Sequence, residues 1–108
     1  MTTSIKYVCN AIKWRDKING NTYHSVKITR VKDKKVLYGE FQYGYGDQYK
    51  STALDAMADA KWLPAKYRKE NDANGFPYHT YYERENDYPI LWNVSHGLKR
   101  EAIKNGGA

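Results

Sequence analysis

Hydrophobic and β-branched positions recur through the first half of the chain in short runs separated by polar turns. Ile5 to Arg15 forms the first run, closed near Asn19-Gly20, the strongest hairpin signal in the chain. In the second run, Thr22 to Lys32, side chains alternate. His24, Val26, Ile28 and Arg30 share one face; Tyr23, Ser25, Lys27, Thr29 and Val31 share the other. Val26 and Ile28 are expected to face the core, which sends Lys27 outward. Lys32-Asp33-Lys34-Lys35 forms a second polar turn, and Val36 to Tyr45 places Leu37, Gly39, Phe41, Tyr43 and Tyr45 at one parity. Three sequential runs with short connections predict an antiparallel meander.

The period then changes. Ala53, Leu54, Ala56, Met57, Ala58 and Ala60 predict a helix that Asp47 or Ser51 caps. Trp62-Leu63-Pro64 is expected to end it, because the residue before a proline is pushed out of the α region, with Trp62 and Leu63 in the core. Polar composition from Ala65 to Asn74 predicts a loop, Tyr78 to Arg84 a strand, and Asn86 to Pro89 a turn. Ile90 to Val94 reads as a short buried strand. Ser95 is then expected to cap a last helix over about His96 to Lys104, with Leu98, Ala102 and Ile103 inward and Asn105-Gly106-Gly107 as its stop. The pattern predicts one α+β domain over residues 1–108, an antiparallel sheet led by a three-stranded meander with two helices packed on it.

Composition narrows the chemistry. The 108 residues suffice for one core. No apolar run approaches the roughly 20 residues of a membrane span, and no signal-type apolar region follows Met1, so a cytoplasmic protein without a membrane partner is expected. Cys9 alone makes neither an internal disulfide nor a zinc site, and it is expected to be a small buried hydrophobe. His24, His79 and His96 stand at no metal-ligand spacing, and Glu83 and Glu85 read as solvated surface. No catalytic residue, metal or cofactor is assigned.

Charge and tyrosine content supply the binding candidates. Net charge is +6 overall, and residues 1–46 alone hold nine basic side chains against Asp16, Asp33 and Glu40. Lys13, Arg15, Lys17, Lys27, Arg30, Lys32, Lys34 and Lys35 form the basic set, a footprint that suits a polyanion or an acidic protein surface. Eleven tyrosines exceed what a small core needs. The segment Gly39-Glu40-Phe41-Gln42-Tyr43-Gly44-Tyr45-Gly46-Asp47-Gln48-Tyr49 concentrates them beside glycines, and Tyr43, Tyr45 and Tyr49 are expected to anchor a partner. Its spacing is neither a dinucleotide fingerprint nor a P-loop.

Residues 5–62 resemble, in topology, the βββα part of the double-stranded-RNA-binding domain, without that family's opening helix or its lysine-rich helix start. The short, basic, tyrosine-rich chain, with its Gly39–Asp47 segment and Trp62-Leu63-Pro64, also looks like the small accessory proteins of tailed phages, which include anti-CRISPR and other anti-defence inhibitors. That resemblance implies a non-enzymatic inhibitor acting in the host cytoplasm on a host protein or nucleoprotein complex of the defence or nucleic-acid-processing type. The basic charge argues against a DNA mimic. Direct, sequence-tolerant binding of DNA or RNA is the alternative, and a small hydrolase or transferase using a histidine stands third. Oligomeric state is left open.

Overall fold

The alternating runs fold as β1 (Tyr7–Asp16), β2 (Asn21–Arg30), β3 (Val36–Tyr43), α1 (Gln48–Asp59), β4 (Ile90–His96) and α2 (Lys99–Asn105). A computed structural model describes residues 5–46, 48–63 and 89–107. The expected cap Asp47, the stop Pro64, the loop from Ala65, the strand Tyr78 to Arg84 and the turn from Asn86 lie outside the described residues, as do His79, Glu83 and Glu85.

The sheet order is β3-β2-β1-β4. β1, β2 and β3 form the antiparallel meander, with Cys9 opposite Ile28 and Ala11 opposite Val26. The α+β fold led by a three-stranded meander is the expected one, and β4 adds a parallel pair to it. This strand lies parallel to β1, from Ile90 beside Tyr7 to His96 beside Lys13, so the sheet is mixed. As the outermost strand it is half exposed rather than buried: Ile90 is in the core, while Leu91 and Val94 are 47% and 41% exposed.

The two helices take opposite faces. Tyr7, Cys9 and Ala11 of β1 and Val26 and Ile28 of β2 share a face and close over Ala53, Leu54 and Met57 of α1, joined by Leu63 and Ile90. On the other face, the Asn105 side-chain amide at the end of α2 donates to the Asn10 carbonyl (3.1 Å) and to Ser25 Oγ (3.2 Å). Helix α2 starts later than expected. β4 continues through His96, and Leu98 holds the cap position with its N–H donated to Glu101 Oε1 at 2.7 Å. Leu98 is 54% exposed there, whereas Ala102 is fully buried.

Helix α1 also stops earlier than the proline. Trp62 N–H donates to the Met57 carbonyl (2.8 Å) and Lys61 N–H to that of Ala58 (3.0 Å), with Lys61 at φ +63°. This is a Schellman ending in which a lysine occupies the left-handed position that glycine favours. Ser51, the alternative cap, is buried inside the helix.

One irregularity changes the faces of β3. His24 pairs with Gln42 and Val26 with Gly39, so Ser25 stands opposite two residues, Glu40 and Phe41. This β-bulge breaks the single parity expected for the strand. Leu37 and Gly39 stay on the α1 face, opposite Ile28 and Val26, while Phe41 and Tyr43 turn to the α2 face. His24 secures the transition. Fully buried between strand and helix, its Nδ1–H donates to the Gly44 carbonyl (3.1 Å) and its Nε2 is hydrogen-bonded with Thr52 Oγ1 (2.7 Å).

Candidate binding surface

The β1–β2 turn sets one end of the surface. Asp16 Oδ1 accepts the N–H of Ile18 (3.0 Å), Asp16 Oδ2 accepts the Asn19 side-chain amide (2.8 Å), and Gly20 closes the loop at φ +73°. The Asn19 bond, followed by the turn N–H groups and the charge of Lys99, holds the Asp16 carboxyl below the usual carboxylate range. This four-residue loop pairs Trp14 with Tyr23.

From that pair an aromatic ridge crosses the α2 face. Trp14 and Tyr23 have centroids 5.7 Å apart, Tyr23 stacks on Phe41 at 5.2 Å and 10°, Tyr43 meets Tyr23 edge-on at 5.8 Å, and Tyr45 meets Tyr43 edge-on at 6.4 Å. Burial declines along it. Trp14, Tyr23 and Phe41 are half-buried, while Tyr43 and Tyr45 are 55% and 60% exposed. The inner rings support Tyr43, and Tyr43 in turn meets Tyr45, leaving two tyrosines presented to solvent.

Cations border the ridge at its Trp14 end. Lys99 Nζ lies 5.4 Å from the Trp14 ring, within cation–π range. Lys13, Arg15 and Lys17 line a groove of about 480 Å³ beside Trp14, with His96 and Leu98 on its other wall. These three sequence candidates meet at the end of the sheet where the ridge starts, but Lys13 and Arg15 share the parity of Cys9 and Ala11 and so the α1 face, where Lys13 Nζ lies 5.0 Å from the Tyr49 ring, opposite the ridge.

The remaining candidates lie elsewhere. Tyr49 is 7% exposed and meets Trp92 edge-on at 5.6 Å, which places it in the core. Lys27 sits mid-sheet on the α2 face, between Asn10 and Tyr38. Arg30, Lys32, Lys34 and Lys35 occupy the opposite end of the sheet, because consecutive turns of a meander alternate ends. Arg30 and Tyr23 are roughly 23 Å apart along β2 at about 3.3 Å per residue. The two basic turns are thus not adjoining. Arg30 is bound to Asp33, with Nη2–Oδ2 at 2.6 Å and Nε–Oδ1 at 3.0 Å, and this guanidinium holds the Asp33 carboxyl at about 2.

Trp14, Tyr23 and Phe41 are ridge residues that the sequence reading did not single out. The facing of Trp14 and Tyr23 depends on the register that the Asp16 loop sets, and the placement of Phe41 depends on the bulge. No family model, curated protein or solved structure matches the chain.

Proposed function

We propose that this chain is a non-enzymatic binding protein that docks through the aromatic ridge on a host nucleic-acid-processing or defence complex, in the manner of the small phage inhibitors it resembles. The observation that carries the reading is the exposure of Tyr43 and Tyr45 at the open end of an aromatic stack whose other end, at Trp14, carries Lys99. Rigid aromatics with a cationic border give contact area at low side-chain entropy cost and complement an acidic surface.

The test is affinity capture from host lysate with the parent chain and with Tyr43→Ala/Tyr45→Ala, each with and without nuclease. A protein partner retained after nuclease and lost with the double variant supports the proposal. Direct nucleic-acid binding is the second reading, favoured by the cations flanking rings able to stack on bases. It predicts nuclease-sensitive capture and an affinity for single-stranded oligonucleotide that falls as salt rises.

A further inference from the structure

At the far end of the sheet, where β1 begins, β2 ends and α1 stops, the chain forms a cleft of about 540 Å³. Tyr7 and Trp62 form its wall, stacked with centroids 5.9 Å apart and planes 16° from parallel. The Arg30 guanidinium lies 4.3 Å from the Trp62 ring and is held by Asp33. Ile5 and Val31, 39% and 47% exposed, make an apolar lip. Lys6, Lys32 and Lys61 complete the lining, and none of them forms an ion pair among the described residues. Three lysines without an ion pair among the described residues, lining one apolar and aromatic cleft, match a ligand with a phosphate at one end and a planar or sugar body at the other. The volume falls within the range of small-molecule sites.

Lys61 adds an independent observation. It holds a left-handed backbone conformation, at φ +63°, at the helix-ending position where glycine is the least strained residue. A strained residue whose side chain lines a cleft points to a use for that side chain. Lys32, from the β2–β3 turn, lines the same cleft, so lysines from separate segments share it.

We infer that this cleft binds the phosphate of a nucleotide, free or at the 5′ end of a nucleic-acid strand, with Lys6, Lys32 and Lys61 on the phosphate and the Ile5–Val31 lip against the nucleoside. The site goes beyond the ridge and stands at the other end of the sheet from it.

The test is a titration of the full chain with ATP and with a labelled single-stranded oligonucleotide, 5′-phosphorylated or 5′-hydroxyl. The comparison variants are Lys6→Gln/Lys32→Gln/Lys61→Gly and Lys61→Gly alone. ATP binding identifies the free nucleotide as the source; preference for the 5′-phosphorylated strand identifies the strand end. The expected result is a loss of about tenfold or more in affinity with the triple variant, as for removal of charged partners of a bound anion. Lys61→Gly alone should weaken binding while its melting temperature rises, a pairing that a purely structural lysine would not produce. Tyr43→Ala/Tyr45→Ala should leave ATP binding and the preference for the 5′-phosphorylated strand unchanged, which separates failure of the cleft from failure of the ridge. Absence of binding to either phosphate probe, or equal affinity of parent and triple variant, overturns the inference.

Discussion

Phe41 stacks on Tyr23 with ring centroids 5.2 Å apart and planes 10° from parallel, on the sheet face opposite the one that Leu37 and Gly39 of the same strand occupy. The extra residue of β3 opposite Ser25 makes this possible, and it turns a strand that would have buried its aromatics under α1 into one that displays them. Phe41→Ala removes the ring that braces Tyr23 and Trp14. For a half-buried phenylalanine the expected loss is about 1–2 kcal/mol, below the ~3–5 kcal/mol of full burial. Chemical denaturation checks it, and the same variant should weaken partner capture because Tyr43 loses its support.

Gly39 is the second determinant of that geometry. A Cβ there would strike Val26 and Thr52, so β3 and α1 approach closely only because the position has no side chain. Gly39→Ala should destabilise by about 1–3 kcal/mol or more through overpacking. A melting curve unchanged from the parent's would show that the helix and strand separate without cost.

Lys61 makes the opposite prediction. Its left-handed conformation carries strain that glycine relieves, partly offset by the greater freedom glycine gives the unfolded chain. Lys61→Gly should raise stability by about 0.5–1 kcal/mol, read from the denaturation midpoint at unchanged slope.

Cys9 lies fully buried in the core, and burial pushes its thiol up to about 12. The folded protein should resist alkylation at pH 8 and react once denaturant is added. The unfolded chain ionises this thiol near its ordinary value of about 8.5. Stability from Cys9 is therefore complete below that pH and is lost progressively as pH rises toward 12, a trend that Cys9→Ala should flatten.

Much of the architecture was legible because alternation along β1 and β2 is strong: Val26 and Ile28 inward and Lys27 outward follow from parity alone. The parallel placement of β4 was not legible, since an apolar run of Ile90 to Val94 states no direction and no neighbour. Register was hidden as well. A two-residue turn centred on Asn19-Gly20 would have set Trp14 opposite Ser25, whereas the Asp16 carboxylate organises a longer loop and sets it opposite Tyr23. The basic set illustrates a different limit. Charge counted along the chain merges Lys13, Arg15 and Lys17 with Arg30, Lys32, Lys34 and Lys35, and only the meander's geometry separates them to opposite ends. Tyr43 and Tyr45 were found from composition, but Tyr49, on the first turn of α1, turns into the core.

The central claim is that Tyr43 and Tyr45 anchor a partner, and the most direct measurement is quantitative capture from host lysate by the parent, by Tyr43→Ala/Tyr45→Ala and by Lys6→Gln/Lys32→Gln/Lys61→Gly, each shown to be folded by a cooperative melting transition above the capture temperature. The account predicts a partner recovered by the parent and by the lysine variant, and depleted about tenfold or more by the tyrosine variant, the loss expected for two interface anchors. Recovery of the same partner in equal amount by the folded tyrosine variant would contradict it.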